Sequence, residues 1–296
     1  MIRRAGLSAI LVCFFAIGVY SAPLTILYTN DLHLQFSRLA SIARTIDAER
    51  AASDAVLVVD AGDTWQDFRS PIAAVWGADE MVRWMNSAGY DAMALGNHDF
   101  YWGARRLAQL VSQAEFAVLC SNYVPWGRAD VPYLPSVIRE VGAWRVLLIG
   151  ITTSQFLPWL DYPWLHYLTP AEAVAPQIEA AGAGVDLVVV LAHLPVPDAV
   201  RLAERVPGID VIVTGHSHVQ TPDSVRAGDT LIVQAGAFGE YVGRLEIDPA
   251  ASGGERLQIS NRLISTEKAP TDLRRGLWTL SRVAVAIGFL AAAIFL

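Results

Sequence analysis

Six short runs of Val, Ile and Leu punctuate the middle of this chain, each closed by polar residues or glycine. They are Leu24–Thr29, Ala55–Asp60, Ala92–Leu95, Trp144–Ile149, Asp186–Leu191 and Asp210–Val213. Continuous apolar runs of this length suit strands buried on both faces. Helical patterns lie between them. Ser37–Ala52 places Leu39, Ile42, Ala43 and Ile46 on one face, with Arg38, Arg44, Asp47 and Glu49 opposite. Asp79–Ala88 and Arg105–Ala114 read the same way, and Thr169–Ala181 opens on a capping box with proline at the first helical position. Strand–helix alternation implies an α/β fold. Leu231–Gln234 and Val242–Ile247 are expected as late antiparallel strands, and Ala250–Glu255 as a turn inside one domain spanning residues 24–268.

The polar residues fall where such folds collect ligands, at the carboxyl ends of strands. The first run ends in Asn30-Asp31-Leu32-His33, the second in Ala61-Gly62-Asp63 and the third in Gly96-Asn97-His98-Asp99. The fifth ends in Ala192-His193, and the sixth in Thr214-Gly215-His216-Ser217-His218. Of the six histidines, only His166 does not follow such a run directly. Singly, each aspartate reads as a turn former or helix cap and each histidine as a structural residue. Together they point to a metal centre. Imidazoles and carboxylates without thiolate suit Mn, Zn, Fe or Co rather than Ca or an iron–sulfur cluster. Seven ligands exceed one tetrahedral site and suit two ions sharing a carboxylate, the arrangement that clamps the oxygens of a displacement at phosphorus.

Composition narrows the partners. The formal charge is −7 over 296 residues, and setting aside Arg3 and Arg4 takes it to −9. A body this acidic is a poor binder of nucleic acid polymers through phosphate contacts. The hydrophobic content of 53% excludes intrinsic disorder. Cys13 and Cys120 are the two cysteines, and Cys13 lies in the N-terminal apolar run. A disulfide framework and a Cys-rich zinc site are therefore both excluded.

The two ends are membrane-flavoured. Residues 1–22 have the basic start, apolar run and small-residue finish of a signal peptide, with an uncleaved signal anchor as the rival. Either form sends the body out of the cytoplasm, to the periplasm or cell surface. Residues 276–296 are apolar apart from Arg282 and read as a membrane tail, against the alternative of a docked amphipathic helix. Membrane contact is thus expected through one or both termini.

The set Asp31-x-His33, Gly62-Asp63, Gly96-Asn97-His98-Asp99, His193 and Gly215-His216-Ser217-His218 resembles the calcineurin-like metallophosphoesterase superfamily. TILYTNDLH, VDAGDTWQ, GYDAMALGNHDFYWG, VIVTGHSHV and QAGAFGEYVGRLEI resemble the catalytic domain of its 5′-nucleotidase branch. The resemblance implies a four-layer α-β-β-α sandwich of two mixed sheets, with a two-metal site at the strand ends. It implies that Asp31, His33 and His218 hold one divalent ion, Asn97, His193 and His216 the other, and that Asp63 bridges them. It also implies attack on a small phosphorylated substrate by a metal-bridging hydroxide. Asn97 and His98 would face that substrate, with His98 stabilising the transition state or protonating the leaving oxygen.

Two departures qualify the resemblance. The nucleotidase pattern has an aspartate three residues after this histidine, and here Tyr101 stands there. Asp99 and Asp67 are the candidates to orient His98 in its place, and Asp99 is counted with His98 as catalytic; if neither does so, a less basic His98 and a slower enzyme are expected. Asp60 reads as structural. The C-terminal domain whose aromatic residues bind the base in the branch is not matched, so phosphoester hydrolysis carries over and nucleotide specificity does not. The aromatic stretch Gln155–Leu168 (Phe156, Trp159, Tyr162, Trp164, Tyr167) either folds over the core or meets a base or lipid. A phosphomonoesterase is the leading expectation. Its rivals are a phosphodiesterase or pyrophosphatase, acting on cyclic nucleotides or lipid-linked phosphates, and a non-catalytic metal- or phosphate-binding membrane protein. Metal identity and oligomeric state are not legible.

Overall fold

The computed structural model describes residues 22–67, 71–125, 131–155, 162–249 and 257–269 (the side chains of residues 71–75 excepted). The expected segments at 1–22 and 276–296 lie outside or almost outside the described residues, as does the expected turn at 250–255.

Two six-stranded sheets stack face to face. In the first, β1 (Leu24–Thr29), β2 (Val56–Asp60), β3 (Ala92–Ala94) and β4 (Ala117–Leu119) run parallel. Beyond β1, the sheet is completed by two further strands, Tyr241–Pro249 and Leu257–Ser265, both added antiparallel to their neighbour. In the second sheet, Trp144–Thr152, Leu187–His193, Val211–Thr214 and Thr230–Val233 run parallel, with Ser136–Val141 and Val225–Ala227 antiparallel at the edges. A two-stranded ribbon pairs Tyr123–Pro125 with Leu165–Tyr167.

Strand periodicity sorts the side chains into three cores. Leu24, Ile26 and Tyr28 point between the sheets, whereas Leu27 points outward. Val189 and Leu191 share the inter-sheet core, and Val188 and Val190 face the opposite side. Helices α1 (Leu39–Ala52), α2 (Pro71–Ala88) and α4 (Ala104–Gln113) cover the outside of the first sheet. The short α3 (Asn97–Phe100) precedes α4. Helices α5 (Pro170–Ala181) and α6 (Val196–Arg205) cover the second sheet. The result is an α-β-β-α sandwich. Each fully buried Val or Leu contributes roughly 1.5–3 kcal/mol, so continuous apolar strands are what this architecture selects.

The Thr169 capping box forms as the sequence indicates: Glu172 Oε2 accepts from the Thr169 amide at 2.8 Å. One expectation is corrected. The late strand at Thr230–Val233 runs parallel to Val211–Thr214, and only the short Val225–Ala227 meets it antiparallel. A strand that a crossover returns to the sheet carries the same apolar signature as a hairpin partner, so direction was not readable. Val242–Ile247 does lie within an antiparallel strand. Cys120 is buried and free, and burial pushes its thiol up to about 11.

Candidate metal centre

The carboxyl ends of β1, β2 and β3 meet those of Leu187–His193 and Val211–Thr214 at one edge of the sandwich. The turns there are tight. Among the described residues, eight non-glycine positions have positive φ, and five of them are Asp31, His33, Asp63, His216 and His218. Such backbone costs of order 1–3 kcal/mol per residue and persists where the surroundings over-determine it. Here they do. The loop after β1 is zipped to the loop after β2: the amides of Asp31, His33 and Leu34 donate to the carbonyls of Gly62, Asp63 and Thr64 at 2.8, 3.0 and 3.2 Å.

Glycine makes the closest approach possible. A Cβ on Gly96 would lie 2.1 Å from Asp63 Oδ1, and one on Gly62 would lie 2.6 Å from the Gly96 nitrogen. With nothing larger than hydrogen there, the His98 amide donates to Asp63 Oδ1 at 2.8 Å. Asp99 clamps the same seam: its Oδ2 accepts from the amides of Asp63 (2.9 Å) and Gly96 (2.8 Å), and its Oδ1 from Trp65 (2.9 Å). Asp60 braces the turn from below, accepting from the Thr29 and Thr64 hydroxyls and the Gly62 amide. Burial, and then the neighbouring Asp63 charge, push Asp99 up to about 7; burial does the same for Asp60.

All seven sequence-predicted ligands converge. Asp31, His33 and His218 form one group whose ligand atoms lie within 4.8 Å of one another, and Asp63, His193 and His216 form a second. Asn97 Oδ1 sits 3.0 Å from His216 Nδ1. His33, Asp63 and His98 form a third such group between them. The tautomers follow from the partners. His33 Nδ1 donates to the Gln66 carbonyl (3.1 Å) and His193 Nδ1 to the Ala61 carbonyl (2.9 Å). A carbonyl can only accept, so in the neutral ring the Nε2 lone pair is left to face the site. His33 Nε2 lies 3.2 Å from His218 Nε2, and His218 Nε2 lies 3.2 Å from Asp31 Oδ1.

The residues fit a cation by one test in particular. His193 is fully buried, yet its Nε2 has no well-formed hydrogen bond among the described residues, although Asp63 Oδ2 is 3.1 Å away. A buried polar atom left this way needs a partner, and a metal ion placed against Asp63 supplies one. Burial opposes the His193 imidazolium. The Asp63 charge and contact, with help from Asp31, outweigh it and push His193 up to about 10. Burial likewise disfavours charge on Asp63, but the charges of His193, His33 and His98 hold it well below the usual carboxylate range. His98 and His216 are lowered, chiefly by burial.

The surroundings of His98 differ from expectation. Asp99, whose carboxylate is occupied by three backbone amides, does not orient it. His98 Nδ1 instead faces Gln66 Oε1 at 2.8 Å. Asp67 is buried nearby in sequence. Tyr101 stands edge-on to His98, ring centroids 5.4 Å apart, and its hydroxyl bonds the Asn97 side chain. Within the aromatic stretch, Phe156 and Trp159 lie outside the described residues. Tyr162 folds over the core: its hydroxyl donates to the Phe100 carbonyl at 3.0 Å and its ring meets Phe100 at 5.4 Å. Trp164 packs on Tyr162, and Tyr167 on Tyr123.

Three amides were not singled out from the sequence. Gln66 is one. Gln234 is fully buried; its Nε2 donates to the Gly215 carbonyl and its Oε1 accepts from the Ser217 hydroxyl and the Val219 amide, so it braces the loop carrying His216 and His218. Asn30 donates to Asp31 Oδ2 and to the Gly236 carbonyl. Amides have no diagnostic spacing, although Gln66 and Gln234 both sit inside the quoted motifs.

Among known proteins, the calcineurin-like phosphoesterase family model matches residues 24–220. The chain is 32% identical over 278 residues to a snake venom 5′-nucleotidase of Gloydius brevicauda, an alignment covering 78% of this chain and 46% of that protein. It is 29% identical over 292 residues to a human 5′-nucleotidase, covering 84% and 50%. It superposes on the crystal structure of a 5′-nucleotidase precursor from Thermus thermophilus with a TM-score of 0.72 at 29% identity, covering 89% of this chain and 59% of the other. The chain spans about half the length of the curated relatives it matches.

Proposed function

This chain belongs to the calcineurin-like phosphoesterase family, hydrolases of phosphate esters that use two divalent metal ions, and from that premise we propose that it is a phosphomonoesterase. One observation carries the reading: the groups Asp31–His33–His218 and Asp63–His193–His216 lie side by side, joined through the His33–Asp63–His98 group, and the buried His193 Nε2 beside Asp63 lacks a well-formed hydrogen bond among the described residues. Asp31, His33 and His218 would hold one ion, Asn97, His193 and His216 the other, and Asp63 would serve both. When bound, the ions acidify water and draw charge from the phosphoryl oxygens.

The chain's own residues do the rest. The Asp63 carboxylate is pinned by the His98 amide, so its position does not drift as substrate enters. His98 is about a quarter exposed, with its Nε2 3.9 Å from Asp63 Oδ2, and in its imidazolium form, which burial disfavours, it is the group placed to pass a proton to the departing oxygen. Asn97 offers its amide beside it to a phosphoryl oxygen. Asp99 acts on the turn rather than on the substrate.

The names of the relatives make a nucleoside 5′-monophosphate the first substrate to try. The domain is placed at residues 24–268, outside the cytoplasm, with residues 1–22 as signal segment and 276–296 as membrane tail. The basic, apolar and small-residue order of the first segment and the apolar run of the last support that placement. Among the described residues, no helix is long and apolar enough to cross a membrane.

The test uses the full chain, stripped with chelator and resupplied with Mn, Zn, Co, Fe or Mg. The panel is a nucleoside monophosphate, a glycerol monophosphate, an aryl monoester, an aryl diester and a lipid diphosphate. Metal-dependent turnover strongest on monoesters is expected. A preference for the diester or diphosphate would overturn the monoesterase reading, and metal uptake without turnover of any ester would overturn catalysis.

A further inference from the structure

Gln66 touches two histidines at once. Its main-chain carbonyl accepts from His33 Nδ1 at 3.1 Å, and its side-chain oxygen faces His98 Nδ1 at 2.8 Å. The two rings stand nearly perpendicular, centroids 4.9 Å apart. Gln66 is itself buried and sits on a turn held from both sides. Asp99 Oδ1 accepts from the Trp65 amide at 2.9 Å, and Trp102 Nε1 donates to the Trp65 carbonyl at 3.0 Å. The amide therefore arrives at His98 on a backbone with little freedom to move.

We infer that Gln66 is the positioning residue for His98, doing with a neutral amide what a carboxylate would otherwise do. This rests on the phosphomonoesterase reading. An amide oxygen only accepts, so it fixes the His98 proton on Nδ1 and turns Nε2 toward the site. Nε2 is then the atom that serves the substrate. As a water oxygen bonds to phosphorus and the ester P–O bond breaks, the Nε2 proton of the imidazolium passes to the leaving oxygen. The Nδ1 proton stays on the ring, and water restores the proton lost. Asp99 acts one step further back, by holding the turn from which Gln66 reaches.

The choice of an amide has a consequence for substrates. Proton donation matters for esters with poor leaving groups, such as alkyl alcohols. It matters little for activated aryl esters, whose oxygen departs without help. Losing the Gln66 contact should therefore separate the two classes, which a general loss of packing would not do.

The experiment compares the full-length chain with Gln66→Leu and Gln66→Glu, each loaded with the same metal and checked for equal metal content. Rates are read on glycerol phosphate and on dinitrophenyl phosphate. Gln66→Leu is expected to lose about 10–100-fold in kcat on the alkyl ester and to stay within about threefold on the aryl ester, the smaller change reflecting a leaving group that needs no proton. Gln66→Glu restores an acceptor and should recover most of the alkyl rate. A second readout needs no turnover: long-range ¹H–¹⁵N spectra of the metal-free chain should show His98 protonated at Nδ1 in the parent and in Gln66→Glu, and mixed tautomers in Gln66→Leu. Parallel loss on both esters, no loss on either, or a parent His98 protonated at Nε2 would overturn the inference. A parent that hydrolyses neither ester would sink the functional reading instead, and the tautomer would still decide this one.

Discussion

The first sheet brings the carboxylates of the site, together with His33, Asn97 and His98, and the second brings the imidazoles of His193, His216 and His218. Asp31, Asp63 and Asp99 follow strands of the first sheet, Asp60 ends one, and none is more than 2% exposed. Backbone amides hold them: Gly96, Trp65, His98 and Gly62 all donate to this group. On the second sheet, His193 is sealed in, but the His218 side chain is 38% exposed and His216 faces a side-chain amide, Gln155, at its outer edge. The acid side is thus fixed by the main chain, while part of the imidazole side opens to solvent. The halves also hold each other. The His216 amide donates to both Asp31 oxygens at 3.0–3.1 Å, and His193 donates to the Ala61 carbonyl from the first sheet. Rigid charge on one side and accessible imidazoles on the other are what a site needs if cations are to be gripped firmly and still met by an incoming phosphate.

Breaking the acid side should cost most. Asp63→Ala is expected to lose both ions and reduce turnover to the level of the metal-free control. His218→Ala, on the open side, should lose one ion and keep the other. Metal content per chain, read by elemental analysis, separates the two outcomes; equal losses would erase the distinction between the halves.

Next in size is the brace behind the imidazoles. Gln234→Ala removes the side chain that ties Gly215, Ser217 and Val219 together, and it should weaken metal binding by about 10–100-fold. Calorimetric titration with Mn or Zn checks this. An unchanged affinity would mean that the strained His216 and His218 backbone is held by the sheet alone.

Protonation gives a smaller, graded effect. The Asp63 carboxylate beside it pushes His193 up to about 10 against the effect of burial. A ligand must be neutral, so metal uptake at this residue expels a proton. Affinity should therefore rise with pH toward 10, by up to about tenfold per unit. Stability of the metal-free chain should move the opposite way. The raised His193 contributes stability that is complete below its ordinary 6.5 and is lost as pH rises through about 10. Asp60 and Asp99, raised from 3.8 to about 7, also favour the fold less as pH climbs through that window. Chelator-treated protein should thus melt lower at about pH 9 than at about pH 6, as thermal denaturation would show. The smallest effect is expected from Tyr101→Phe, which removes the hydroxyl bonded to Asn97 and should cost roughly 0.5–1.5 kcal/mol in thermal stability.

The strands and the site were legible for the same reason. A strand buried on both faces must be apolar until it ends, so the first hydrophilic residue marks the edge where ligands collect, and Asp31, Asp63, Asn97, His193 and His216 could be read off directly. What could not be read depends on contacts between distant segments. Gln66 and Gln234 are ordinary amides until the fold sets them against a histidine ring and a glycine carbonyl. Asp99 follows His98 in sequence, which suggested that it served His98. In a one-turn helix, however, it points back to the amides of Asp63, Trp65 and Gly96. The edge strands Ser136–Val141 and Leu257–Ser265 escaped notice because their exposed faces carry polar residues that dilute the apolar signal.

The most direct test of the account is a crystal of the full chain grown with Mn²⁺ and measured at the manganese absorption edge. Two anomalous peaks are predicted, one against Asp31, His33 and His218, the other against Asn97, His193 and His216, with Asp63 reaching both. A single peak among His33, Asp63 and His98, or two peaks that Asp63 does not join, would contradict it.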